Sequence, residues 1–377
     1  MGGGQIHKIT GDFIRNYADS SSGSVTGGVV YLGGSGNTEI TGNFVENYAL
    51  SHSGGYGGMV NASGSTLTLN GNFIRNYVIS TNSYFNGGMI YVGGGGLNVT
   101  GDFVGNYVSG PNIYGGTLFS GGSLLNVKGS FIDNYASGSD VIYGGAAYIG
   151  GNSFEVSGDF IRNYALGVSN TLGSSDVKGG AIYAGYSTTG ILNSNFIGNY
   201  AKSVVLSGDE AKALGGAIYL EGGTLRFIPL ANKGIVFENN KVITKVGNSA
   251  EISTLNSINF ADSNSIVNFD TAANTYINIG DPMTSFDSAG TQGNFGTINK
   301  SGAGSLYLWG DNSEYEGDFN VNGGTFYAMF EDKQDLVNDP LGQRLSFDLS
   351  NAVVLFADGT IFKPKVTNGQ IANIGNS

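Results

Sequence analysis

The chain has no cysteine, so neither a disulfide framework nor a thiolate metal site is available, and its core must stand on packing and backbone pairing. It has only 2 histidines, His7 and His52, which are far apart and leave no His-rich metal cluster and no histidine-based triad. Proline is down to 5 residues, which excludes collagen despite 65 glycines. Charge is sparse, with 17 Lys plus Arg against 29 Asp plus Glu and a formal net charge of -12. Such a surface repels a phosphate backbone, so nucleic acid is not an expected partner. No apolar run approaches the roughly 18 residues of a membrane-spanning helix, and no signal-peptide core follows Met1. The opening Met1-Gly2-Gly3-Gly4 enters the first repeat almost at once, which reads as a piece of a longer protein whose targeting signal lies outside it.

What is present is aromatic and repetitive. The 22 Phe and 21 Tyr sit in a chain that is 40% hydrophobic, enough burial to offset chain entropy, so disorder is a poor reading. Phe-x-x-Asn-Tyr recurs with Phe at Phe13, Phe44, Phe73, Phe103, Phe131, Phe160 and Phe196, in steps of 31, 29, 30, 28, 29 and 36 residues. A near-constant period of this kind marks a solenoid, in which each unit buries its apolar face against its neighbours. Short alternating stretches such as Thr38-Glu39-Ile40-Thr41 and Thr66-Leu67-Thr68-Leu69, bounded by Gly turns and with no helical period, read as strands. The expected fold is all-β, a right-handed parallel β-helix of about eleven to thirteen coils.

Equal positions in successive coils form columns. The Phe column is expected inside, and the Asn column from Asn16 to Asn199 is expected to form a ladder of stacked amides. Tyr17, Tyr48, Tyr77, Tyr107, Tyr135, Tyr164 and Tyr200 are expected to point outward beside small inward residues such as Ala18 and Val78. Gly11, Gly42, Gly71, Gly101, Gly129 and Gly158 precede Phe by two, where glycine permits positive φ or close approach of neighbouring backbones, and Ser194 breaks this series.

From each Gly-Gly pair to the next Phe the length hardly varies, whereas from Phe to the next Gly-Gly it does, so the second arc is read as a loop. These arcs are Asp19 to Thr26, Leu50 to Tyr56, Val78 to Asn86, Val108 to Tyr114, Ser137 to Tyr143, Leu166 to Lys178 and Lys202 to Leu214. They carry Tyr56, Tyr84, Phe85, Tyr114 and Tyr143, the candidate partner-binding residues, as exposed aromatics on one edge. No catalytic residue, metal or cofactor is expected. The acids before Phe, Asp12, Asp102 and Asp159, are never adjacent in their column, which disfavours a carboxylate pair for glycoside chemistry.

Gly-Gly-Ala-Ile paired with Phe-x-x-Asn resembles the repeat of the polymorphic outer membrane protein family of autotransporters. It stands intact at Gly180-Ala181-Ile182 and Gly216-Ala217-Ile218, with variants at Gly28-Val29-Val30, Gly58-Met59-Val60 and Gly88-Met89-Ile90, over roughly residues 9 to 240. Downstream, Gly302-Ala303-Gly304-Ser305-Leu306-Tyr307-Leu308, the turn Tyr315-Glu316-Gly317 and Asn322-Gly323-Gly324 are similar to the passenger-associated repeat of autotransporters. The resemblance implies a β-helical passenger on a bacterial surface, carried there by a C-terminal membrane β-barrel that this sequence does not include. Residues 1-225 are read as regular repeats, 226-330 as looser coils and 331-377 as a final coil or cap. The expected function is adhesion to a protein or glycan on a host or neighbouring cell; the alternatives are a polysaccharide-degrading enzyme and a purely structural surface-layer protein.

Overall fold

Each coil visits five sheets in turn, named A to E here. In the first coil they receive Ile6–Thr10, Phe13–Ile14, Tyr17–Ser20, Val25–Thr26 and Val30–Gly33. The computed structural model describes residues 6–328 except 34, 35, 65, 123, 152, 171–174, 208, 209, 310, 311 and 313, together with Leu345–Phe347 and Ala352–Phe356. Among the described residues sheets A and B each have 12 strands, sheet C has 9, sheet D 7 and sheet E 8. The chain is therefore a parallel β-helix solenoid, with coil number inside the expected range. The expected looser coils after residue 225 take a definite form. Sheet D ends at Lys212–Leu214 and sheet E at Ile258–Phe260, while sheets A and B continue through Thr297–Ser301, Ser305–Leu308, Asp318–Val321 and Gly324–Ala328. Of the segment read as a final coil or cap, only Leu345–Phe347 and Ala352–Phe356 are among the described residues, pairing in sheets A and B.

The Phe column is the spine of the core. Phe44, Phe73, Phe103, Phe131, Phe160 and Phe196 are in register in sheet B and fully buried, with successive centroids 4.5 to 5.0 Å apart. Each ring contributes about 1.5–3 kcal/mol by burial. Beside it runs the amide ladder: Asn47 donates its backbone N–H and its Nδ2 to Oδ1 of Asn76 at 3.0 and 2.8 Å, and its second Nδ2 proton to the Phe13 carbonyl at 2.9 Å. The same three bonds recur at Asn76, Asn106, Asn134 and Asn163. The ladder outruns the Phe-x-x-Asn-Tyr repeat, passing from Asn199 to Asn240 and ending on Asp281.

Two conformational demands shape the turns. A Cβ at Gly42 would lie 2.1 Å from the Gly11 carbonyl oxygen, and one at Gly71 2.0 Å from that of Gly42, so stacking at coil pitch excludes any side chain there. Ser194 is the exception, its Oγ bonding the Val156 carbonyl at 3.3 Å. The residue before each ladder Asn is left-handed, with φ of 54° at Arg15, 54° at Glu46, 49° at Arg75 and 52° at Arg162. This turn swings the chain from sheet B to sheet C and was not legible in the repeat, because only Gly105 and Gly198 announce it by residue type.

The variable arcs are not loops throughout. Each contributes paired strand to sheet C and a short strand to sheet D, as Val78 to Asn86 does with Tyr77–Ser80 and Tyr84–Asn86. Strands of two or three residues are too short to show an alternating signal, and part of the extra length of the last two arcs lies in sheet C, whose strands reach six residues at Tyr164–Ser169 and Tyr200–Val205.

Candidate functional site

Sheets D and E meet at the Gly-Gly turn, and their outward side chains face one another across the corner. Sheet E presents Tyr91, Phe119, Tyr148, Tyr183 and Tyr219 as one column in register. Sheet D presents Tyr56, Asn86, Tyr114, Tyr143 and Lys178 as the facing column. The two columns touch. Tyr56 meets Tyr91 edge-on at 4.8 Å, Tyr114 meets Tyr148 at 5.8 Å, and Tyr143 stacks on Tyr183 at 4.7 Å. Along sheet E the rings stack at 5.0 Å from Tyr91 to Phe119 and 4.8 Å on to Tyr148 and Tyr183.

Of the five candidate residues, Tyr56, Tyr114 and Tyr143 stand in this corner and Tyr84 at its rim. Phe85 does not belong with them. It is fully buried, because Tyr84–Asn86 is a strand whose alternation turns Tyr84 and Asn86 outward and the middle residue into the core. Of the exposure expected of all five, Tyr84 is 39% exposed, Tyr56, Tyr114 and Tyr143 are half-buried, and Phe85 has none. Tyr56 and Tyr84 share a hydroxyl–hydroxyl bond of 2.8 Å, and that bond, followed by burial, pushes the Tyr56 phenol up to about 12.

Burial deepens along the corner. Near the first coil Tyr31 is 61% exposed, whereas Tyr219 at the far end is fully buried. There Lys178, itself only 3% exposed, bonds Asp176 at 2.8 Å and the Tyr143 hydroxyl at 3.1 Å, with Nζ lying 4.8 Å from the Tyr143 centroid and 5.3 Å from that of Tyr219. The Tyr143 hydroxyl donates to Asp176 at 2.5 Å, and Tyr183 donates to Glu221. Burial raises the Tyr143 and Tyr219 phenols far above their ordinary value and also raises the Glu221 carboxyl. This acid, amine and phenol cluster escaped the sequence reading, since Lys178 and Asp176 lie 35 and 33 residues from Tyr143. The only signal for it was a lysine at a column position that holds tyrosine in three other coils, at Tyr56, Tyr114 and Tyr143.

Other outward columns are also accounted for. The tyrosines of sheet C point outward and several of them stack, at 4.9 Å from Tyr17 to Tyr48 and 4.7 Å from Tyr164 to Tyr200. The acids before Phe act as turn acceptors. Asp12 Oδ1 receives the Asn43 backbone N–H at 2.8 Å, Asp102 Oδ1 that of Ser130 at 2.7 Å, and Asp159 Oδ1 that of Asn195 at 2.9 Å. Farther along, Trp309 lies on the outer face of sheet B beside Tyr307 and Tyr327, at 6.1 and 5.1 Å, and bonds Asn278 through its indole N–H. Among the described residues no group of three or more His, Cys, Asp or Glu is placed to hold a metal ion.

Comparison with protein-family models, with curated proteins and with solved structures returns no match for this chain.

Proposed function

We propose that this protein is a surface-displayed binding scaffold, an autotransporter-like passenger of the kind its repeats resemble, that holds a protein or glycan of another cell against its aromatic corner. The observation that carries the reading is the open end of that corner, where Tyr31, Tyr56, Tyr84 and Tyr91 offer ring faces and hydroxyls on a rigid wall. Phenol rings combine a large apolar contact area with a polar tip and lose little rotamer freedom on binding, which suits them to protein surfaces and to the apolar faces of sugars. The solenoid fixes their spacing at the coil pitch, so an extended ligand would meet several rings at once. Display on a bacterial surface and tethering by a C-terminal barrel follow from the resemblance alone and belong to the same proposal.

The test is binding of the purified chain to host-cell surfaces and to a glycan array, repeated with Tyr56→Ser and Tyr84→Ser together. Both side chains lie outside the coil, so circular dichroism is expected to stay unchanged while binding falls by about tenfold or more. Binding untouched by the double substitution would move the site to another face, such as the tyrosines of sheet C. Release of unsaturated or reducing sugars from a polysaccharide panel would replace the reading with an enzymatic one.

A further inference from the structure

We propose that the coil above Lys212–Leu214 leaves one strand position of sheet D open, and that this slot takes up an extended peptide strand of a partner polypeptide. The proposal stands on a different part of the molecule from the aromatic corner and does not require that corner to bind anything.

Sheet D has 7 strands and stops at Lys212–Leu214, whereas sheet C goes on above it to Lys241–Val246. At that height the chain turns back on itself, and Ile252–Leu255 pairs antiparallel with Lys241–Val246 instead of supplying sheet D with another strand. The loss is visible in the backbone bonds. In every coil below, the glycine that opens Gly-Gly donates its N–H to the sheet D strand of the next coil, from Gly27 to Tyr56 at 3.1 Å up to Gly179 to Leu214 at 2.9 Å. Gly215 is the next glycine of that series, and among the described residues no sheet D strand lies above it to accept. Its neighbour Gly216 has been provided for, since Asn256 Oδ1 takes its N–H at 2.9 Å where earlier coils use a backbone carbonyl. In a parallel ladder alternate residues face the same neighbour, so Ala213 and Gly215 present their groups to the open edge together.

The space above that edge is a notch of about 370 Å³, walled by Leu214, Val242, Thr254 and Leu255 and bounded on the far side by Thr284 and Phe286. A sheet edge with free donors and acceptors is a template for one more strand, and strand addition is a common mode of peptide capture. The lining defines the guest. Inward residues of sheet D are apolar, Phe85, Ile113, Ile142 and Val177, and shrink to Ala213 at the top, which leaves room for a branched aliphatic residue pointing inward. Glu210 lines the notch on a chain of net charge -12, and the Lys212 amine at its edge is already held by the Ser288 carbonyl at 3.2 Å, so outward residues of the guest are basic. The occupant is thus a strand of alternating basic and aliphatic residues, parallel to Lys212–Leu214.

The experiment uses the full chain and a fluorescein-labelled Lys-Val-Lys-Val-Lys-Val-Lys peptide, read by anisotropy at physiological salt. A control peptide of equal charge has proline at alternate positions and cannot donate to a ladder. Saturable binding is expected, weaker by about tenfold or more for the proline peptide and for the chain carrying Thr254→Trp, which narrows the slot from an exposed position. Hydrogen exchange in the unsubstituted chain is expected to slow at Ala213 and Gly215 when the peptide is added. Absence of binding, equal binding of both peptides, or exchange unchanged at these two amides would overturn the proposal. So would self-association of the chain without peptide uptake, because a second copy would then own the edge.

Discussion

Asn240 donates both its backbone N–H and its Nδ2 to Oδ2 of Asp281, each at 2.8 Å, and the backbone N–H of Asn239 reaches Oδ1 of the same carboxylate at 2.9 Å. The buried amide ladder thus terminates on a group that only accepts when ionised, at the one position where no further amide needs a donor. Burial raises the Asp281 carboxyl, outweighing these three bonds, which lower it. A folded-state value above the unfolded one means that the group's contribution is intact below the unfolded carboxylate range and is lost as pH rises through the raised value. Asp281→Asn is therefore expected to match or exceed the parent at pH 7 and to remove that loss, while Asp281→Ala, which strands three donors, should cost about 2–3 kcal/mol. Urea unfolding of the three proteins between pH 4 and 8, a range spanning roughly the upper side of an ordinary carboxyl, checks both the order and the slope.

Phe103 and Arg75 test the two faces of the wall. Phe103→Ala opens a cavity inside a column of touching rings and is expected to cost about 3–5 kcal/mol. Arg75 is exposed and its bond to Glu46 at 2.8 Å is a surface ion pair, so Arg75→Ala should cost less than about 1 kcal/mol. Comparable losses in chemical denaturation would mean that the packing of the column contributes little.

Arg75 also carries a backbone prediction. Its φ of 49° is left-handed, a conformation that disfavours any Cβ by roughly 1–2 kcal/mol. Arg75→Gly and Arg75→Ala lose the same ion pair, yet the glycine variant is expected to be the more stable by about 1 kcal/mol. A thermal melt that ranks alanine above glycine would contradict the turn geometry.

Lys300 is fully buried, with Nζ donating to the carbonyls of Ser301, Gly302 and Gly323 at 2.9, 3.1 and 2.8 Å. Desolvation lowers it from 10.5 to about 8. Because the folded value lies below the unfolded one, the unfolded chain holds this proton more tightly in between, and stability from this group rises as pH climbs from about 8 towards 10.5. The difference in unfolding free energy between the parent and Lys300→Met should therefore shift in favour of the parent across that window. A constant difference would show that Lys300 does not titrate as a buried amine.

The columns of Phe, Asn and outward Tyr were legible because each coil repeats the same environment, so one residue type satisfies it seven times over. Of the last rungs, Asn240 keeps the Phe-x-x-Asn spacing from Phe237 even though Lys241 stands where the repeat has Tyr, whereas Asp281 was not legible, since the ladder's end takes a different residue type altogether. The position of Phe85 was misread for a similar reason. In a three-residue strand nothing in the string tells which residue faces inward, and the register with Ile113 one coil above decides it. The aromatic corner was half legible. Its sheet D members lay in the variable arcs, whereas their partners Tyr91, Tyr148 and Tyr183 lay in the constant arc and meet them only because sheets D and E fold against each other.

Period and residue type suffice for a solenoid, its ladders and its inward and outward columns, because those depend on contacts between identical positions one coil apart, and such contacts are written in the spacing. Where a sheet stops depends instead on whether one segment continues forward or turns back. The hairpin of Lys241–Val246 with Ile252–Leu255, the end of sheet D at Lys212–Leu214 and the buried Lys178 cluster all arise between unlike positions far apart in the chain. Their energies come from packing and pairing that no local pattern encodes, so only the folded molecule brings them into being.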